Sequence, residues 1–86
     1  MAQRRQLLLR ALNNPGGLRF GEFVALVEAF GFKLDRQRGS HRLYQMRGMP
    51  EFVNIQPRSD GKAAAEQVRE FLKLIEAHSQ RLEDEP

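Results

Sequence analysis

Apolar residues recur at three- and four-residue spacing in three stretches of the chain, the pattern of helices with one buried face. They predict helices over residues 3–12, 21–30 and 63–78. Turn residues at 13–17 end the first helix, and Gly31 follows the second where a left-handed C-terminal cap belongs. The predicted inward-facing residues are Leu8, Leu9 and Leu12, then Phe20, Phe23, Val24, Val27 and Phe30, then Val68, Phe71, Leu72 and Ile75.

Between the second and third helices, three short stretches alternate apolar and polar residues, as half-buried strands do. They predict strands over residues 32–36, 41–47 and 52–56, with turns at 37–40 and 48–50. We expect Tyr44 and Met46 to face the core and His41 to face the other way, although a register slip of one residue would reverse this. The order α-β-β-β-α predicts an α+β fold, with a three-stranded antiparallel sheet, both helices on one of its faces and an extra N-terminal helix.

The chain has 86 residues, the size of one domain with a modest core. We expect an N-terminal helix and turn at 1–17, the main unit at 18–78 and an acidic, flexible tail at 79–86. The lack of cysteine excludes disulfides, thiolate zinc sites and a cysteine nucleophile, and favours a cytoplasmic protein. No stretch reaches membrane-spanning length, and the N-terminal leucine run is too short and interrupted for a signal peptide.

The positive charge is concentrated in the strand region. The whole chain carries a formal charge of +3, yet residues 33–47 alone hold five basic residues against the single acid Asp35. Such a patch attracts a phosphate backbone, although a plain solvated face has the same composition. The charge alone does not separate RNA, DNA and an acidic protein as partners.

The stretch 38–44 brings a turn, a histidine and arginines together. Gly39 and Ser40 permit a tight turn with exposed amides, and His41 begins the strand that follows. Cleaving RNA without a metal needs a base such as imidazole, together with cations or amides that hold the phosphate. On the residues alone, a solvated histidine on a basic hairpin is the more common explanation of this pattern.

Two other positions are weaker candidates. Lys62 follows Gly61 just before the third helix, where a lysine and a helix N-terminus can together hold a phosphate, but an ordinary loop has the same sequence. His78 lies at the far end of that helix, and we expect it to be a surface residue. With two histidines and no cysteine the chain offers no metal site, and we expect no cofactor.

Over residues 18–78 the chain resembles the HicA toxin family in four motifs that occur in matching order. They are Gly31-Phe32-x-Leu34, Arg38-Gly39-Ser40-His41-x-x-Tyr44, Asn54-Ile55-Gln56-Pro57 and Gln67-Val68-Arg69-x-Phe71-Leu72. The resemblance implies a double-stranded-RNA-binding-domain-like fold, a toxin that cleaves mRNA, and a HicB-like antitoxin protein that neutralises it. It also implies that His41 is the catalytic histidine, with Gly39 and Ser40 as its motif neighbours.

These observations lead to one expected function and two alternatives. The expected function is a metal-independent RNA endonuclease whose base is His41. The residues expected to bind RNA are Lys33, Arg36, Arg38, Gly39, Ser40, Arg42 and Lys62. The alternatives are a non-catalytic RNA-binding module of the same fold, and a protein whose main role is to hold a partner on its open sheet face.

Overall fold

The computed structural model describes the backbone of residues 2–84 and the side chains of residues 4–78. It confirms the predicted α+β order. The elements are α1 (Ala2–Asn13), a short 3₁₀ turn (Pro15–Gly17), α2 (Phe20–Ala29), β1 (Lys33–Arg38), β2 (His41–Gln45), β3 (Phe52–Ile55) and α3 (Ala65–Asp84). The strands form one antiparallel sheet in the order β1-β2-β3, with β2 in the centre.

Helix α3 differs most from its predicted bounds. It begins two residues later because Ala63 is held extended by a bridge to Pro57, and the neighbouring Lys62 is held by a bridge to Arg19. At its other end the helix continues past His78 to Asp84, so most of the segment predicted as a tail is helical here. None of the helices within residues 2–84 combines the length and the apolar composition that crossing a bilayer requires.

The core lies between the helices and one face of the sheet. The ring of Phe71 in α3 is at its centre, with its centroid 6.0 Å from that of Phe23, 5.8 Å from that of Phe30 and 5.6 Å from that of Phe32. All three pairs are edge-to-face, the favourable geometry for aromatic rings. From the sheet, Tyr44 joins this core as predicted and is 1% exposed. The aromatic contacts therefore draw α2, α3 and the start of β1 onto a single face.

The predicted inward side of α1 is only partly right. Leu8 packs against the core, but Leu9 and Leu12 are 52% and 57% exposed. The buried residues are Leu7 and Ala11, which lie one helical turn apart. Because Ala11 is small and fully buried, the helix can approach the core closely along this seam, and its leucine-rich side is left toward solvent.

An ion pair joins α1 to the first turn of α2. The Arg10 guanidinium donates two hydrogen bonds to the Glu22 carboxylate, one from Nη1 and one of 3.2 Å from Nη2. Glu22 also accepts a hydrogen bond of 2.9 Å from the Arg19 amide at the cap of α2. These bonds, the Arg10 bond above all, lower the pKa of the Glu22 carboxyl below its ordinary value. The charged carboxylate therefore stabilises both the helix start and the docking of α1.

Glu22→Gln is expected to lower the free energy of unfolding near pH 7 by about 1 kcal/mol, because it removes the charge from both contacts. A folded-state pKa below the unfolded-state value gives stability that is present above about pH 4.5 and is lost as the pH falls through the folded-state pKa. Denaturant unfolding of both proteins at neutral and at acid pH measures this. A difference that stayed the same at both would contradict the role of the ion pair.

Candidate nucleic-acid interface

Strand β1 contains a bulge that resets its alternation halfway along. Leu34 pairs with Tyr44 of β2, but Arg36 pairs with the very next residue, Leu43, so Asp35 has no partner. An extra residue in one strand moves the side chains that follow it to the other face of the sheet. The basic residues that consequently share the helix-free face are Lys33, Arg36 and Arg38.

This helix-free side, the outer face, consists of three rows of directly paired residues. Successive rows are two residues apart along β2 and β3, which is about 7 Å, and the bulge makes the last step along β1 three residues. Starting at the hairpin turn, the rows are Arg38 with His41, then Arg36 with Leu43 and Asn54, then Lys33 with Gln45 and Phe52. No member of these rows is acidic, so the outer face is positively charged along its length.

His41 lies beside the hairpin turn made by Gly39 and Ser40. Gly39 has a φ of +56° whereas Ser40 is not left-handed, the combination of a type II′ turn. A Cβ on residue 39 would meet nothing within 4 Å, so the backbone conformation rather than space favours glycine. The amides of Gly39 and Ser40 have no backbone acceptor among the described residues. The turn therefore places two unpaired amides beside the exposed imidazole and Arg38.

Arg42 does not join His41 on the outer face, contrary to the expectation that both flank one ligand. Adjacent residues of a strand point to opposite sides, and Arg42 pairs with Ile55, which is fully buried on the core side. The half-buried Arg42 side chain places its guanidinium 5.1 Å from the centre of the Phe20 ring at the start of α2. This geometry suits a cation–π contact within the fold.

Lys62 belongs to the segment that ties the start of α2 to the start of α3. The Lys62 amide donates a 3.1 Å hydrogen bond to Oδ1 of Asp60, and the Ala63 amide donates one of 2.9 Å to the Leu18 carbonyl. The backbone amides of Lys62 and Ala63, where the sequence suggested a phosphate-binding position, are therefore already hydrogen-bonded within the protein. The exposed Lys62 side chain is what this loop offers an anion.

The remaining polar groups place further limits on the chemistry. Asp35 pairs with Arg36 at 3.3 Å, but both side chains are well exposed, so this weak surface contact leaves Arg36 available to a stronger anion. The other histidine, His78, is in the helical layer behind the sheet. Among the described side chains, no three histidine, cysteine or carboxylate groups cluster as metal ligands.

Phe52 was not singled out from the sequence, yet it lies on the outer face and is 45% exposed. The sequence contained the signal, because Val53 and Ile55 alternate with polar residues in this strand, and if they face the core then Phe52 faces outward. The bulge at Asp35 had no such signal. An uninterrupted alternation would have put Arg36 on the core side with Leu34.

The fold and this surface together define a class of protein. A one-sided antiparallel sheet in α-β-β-β-α order, with a basic open face, is consistent with a double-stranded-RNA-binding-domain-like fold. A family model described as the HicA toxin of bacterial toxin-antitoxin matches residues 20–77, which is more than half of the chain. The chain therefore belongs to the HicA toxin family and is the toxin of a toxin-antitoxin system. Comparisons with curated proteins and with solved structures gave no match.

Arg42→Ala is expected to lower the free energy of unfolding by about 1 kcal/mol, because it removes the contact with Phe20 and the packing of the arginine stem. Arg38→Ala is the matched control, because it removes one exposed arginine from the same hairpin and should change stability by less than about 0.5 kcal/mol. Denaturant unfolding measures both. Equal losses would contradict the assignment of Arg42 to the fold and of Arg38 to the outer face.

Proposed function

We propose that this HicA-family toxin acts as a metal-independent RNA endonuclease and that its active site is the hairpin end of the outer face. The observation that carries the proposal is the pairing of His41 with Arg38 on a helix-free surface whose paired rows hold no acidic residue. A base with cations and amides on the same side is the set of groups that phosphodiester cleavage without a metal needs. The family to which the chain belongs agrees with a toxic activity.

The proposed reaction uses the neighbouring 2′-hydroxyl of the RNA as the nucleophile. His41 takes the proton from this hydroxyl, and the 2′-oxygen forms a bond to the adjacent phosphorus. The bond from phosphorus to the 5′-oxygen breaks, and the departing oxygen takes a proton from solvent. The products are one strand that ends in a 2′,3′-cyclic phosphate and one that begins with a 5′-hydroxyl.

The charge that builds on the phosphate oxygens requires positive partners nearby. Arg38 is directly opposite His41, Arg36 is one row further along the face, and the amides of Gly39 and Ser40 are at the turn. Guanidinium groups suit this role because they donate parallel hydrogen bonds to a phosphate. Lys33, in the third row, then binds RNA away from the scissile bond.

Arg42 and Lys62 are assigned a secondary place in RNA binding. Arg42 is behind the sheet over Phe20, and Lys62 is bridged to the residue just before Phe20, so both belong to the same end of the molecule. They add positive charge near the hairpin without facing the scissile bond. Long-range attraction of the RNA strand is the contribution that this position permits.

The proposed partner is a HicB-like antitoxin protein that covers the outer face. Acidic groups placed against Arg36 and Arg38 would occupy the positions of the phosphates, and an apolar contact would exclude water from His41. Antitoxin and RNA would then compete for one surface. This is expected to appear as mutually exclusive binding in a competition titration with the His41→Ala protein.

A non-catalytic RNA-binding module is the second candidate. One observation favours it: His41 is the only histidine of the outer face, so no second imidazole is there to protonate the leaving oxygen. In that case the purified protein would bind RNA with strong salt dependence and never shorten it. Analysis of the RNA ends after incubation separates the two candidates.

His41→Ala is expected to reduce the rate of RNA cleavage by about 10²–10⁴-fold, because the general base is lost while the exposed site leaves the fold unchanged. His78→Ala is the matched control, since it removes the other histidine from α3 and should cleave as wild type does. Single-turnover cleavage of a labelled RNA, with detection of the cyclic phosphate, measures the rates. Equal cleavage by wild type and His41→Ala at equal protein purity would refute the assignment.

A further inference from the structure

The third row of the outer face carries an aromatic ring that the core does not use. Phe52 is 45% exposed, whereas Val53 and Ile55, the residues of β3 that face the core, are buried. The half-buried Leu43 is diagonal to Phe52 across the strand pair, within reach of an aromatic side chain. An apolar strip therefore runs between the basic residues of this face.

The neighbours of this ring favour a nucleic acid. Phe52 shares its row with Lys33, and the one row between it and His41 contributes Arg36 and Asn54. No acidic residue occupies these rows, and Glu70 of α3 lines a small cleft together with Phe52 and Asn54. An exposed aromatic ring on a face that carries cations and an amide side chain is the combination that binds a base by stacking while its phosphates are neutralised.

We propose that Phe52 forms a base-binding subsite, on which an unpaired base of single-stranded RNA stacks a few nucleotides from the linkage at His41. The position of that linkage rests on the proposed function. The stacking itself depends only on RNA occupying the outer face. Phe52 acts here as a positioning residue, because it fixes the strand and touches no reacting atom.

Phe52 and His41 are too far apart to contact the same nucleotide. Phe52 pairs with Gln45, which is four residues along β2 from His41, and it lies one strand further across. At the usual rise along a strand and spacing between strands, their Cα atoms are about 14 Å apart. A base held by Phe52 therefore belongs to a different nucleotide from the one that reacts.

The same geometry selects single strands over duplexes. The bases of an RNA helix are stacked on one another and leave no face for a protein ring, whereas the bases of a single strand can turn out and stack on an aromatic side chain. Base stacking also tolerates any of the four bases, since each has an aromatic face. The subsite therefore confers preference for unpaired RNA with little sequence selection.

The experiment uses a DNA oligonucleotide with one ribonucleotide, so that only the linkage after that ribonucleotide can be cleaved. A single abasic position is placed in turn at each of the neighbouring nucleotides. Binding is measured by fluorescence anisotropy with the His41→Ala protein, and cleavage is measured with the His41-containing protein. Each set is repeated with Phe52→Ala and, as the control for an exposed apolar residue elsewhere, with Leu9→Ala.

Phe52→Ala is expected to weaken binding of the intact strand by about 5- to 150-fold, the range that corresponds to the loss of one stacked base. At one position, an abasic site should weaken binding by the Phe52-containing protein by a similar factor and leave binding by Phe52→Ala unchanged. Annealing a complementary strand should abolish the difference between Phe52 and Phe52→Ala. Leu9→Ala should bind every oligonucleotide as the parent does.

Equal binding by the Phe52-containing protein and Phe52→Ala would overturn the subsite, and so would losses that are the same at every abasic position. If Phe52→Ala weakened only the complex with the antitoxin, the ring would belong to a protein interface instead. Absence of cleavage by the His41-containing protein would refute the proposed nuclease, while the binding measurements would still decide the subsite. The two proposals therefore fail on different observations.

Discussion

The unpaired Asp35 in β1 is the constraint on which the candidate site depends. If Asp35 instead paired with Leu43 in a regular alternation, Arg36 and Arg38 would point to the core side with Leu34, and Asp35 would take a place on the outer face. With the bulge, the two arginines and the imidazole share one surface. A single backbone irregularity thus changes the outer face from mixed charge to uniformly basic, although the composition of the hairpin stays the same.

The opposite face of the sheet explains why this surface stays open. The edge-to-face contacts of Phe71 draw α2 and α3 onto the core side, where Tyr44 and Ile55 complete the packing. Because α1 docks on its Leu7 and Ala11 seam and pairs with Glu22 of α2, it too adds to the helical layer. The described helices therefore all pack on one side of the sheet and leave its other face uncovered.

Much of this architecture followed from the sequence, and the exceptions have physical causes. The spacing of Phe23, Val27, Val68 and Phe71 fixes the buried helix faces, and alternation around Tyr44 correctly turns His41 outward. Periodicity failed for α1, where small Ala11 packs more closely than the larger leucines. The hydrophobic pattern also could not show the bulge, because the bulge is defined by how β1 pairs with β2 and not by the residues of β1 themselves. Arg42 was assigned to the ligand side from its proximity in sequence, but strand alternation turns it to the core side.

Exchange of Arg36 and Gln37 tests the central claim most directly, because Arg36→Gln/Gln37→Arg keeps the composition and net charge of the hairpin. In the bulged strand Arg36 pairs with Leu43 on the outer face, whereas Gln37 pairs with Arg42 on the core side. The account predicts that the exchanged protein cleaves RNA more than about tenfold more slowly than wild type, because the phosphate contact from the Arg36 guanidinium is lost. A folded exchanged protein that cleaves as fast as wild type would contradict it.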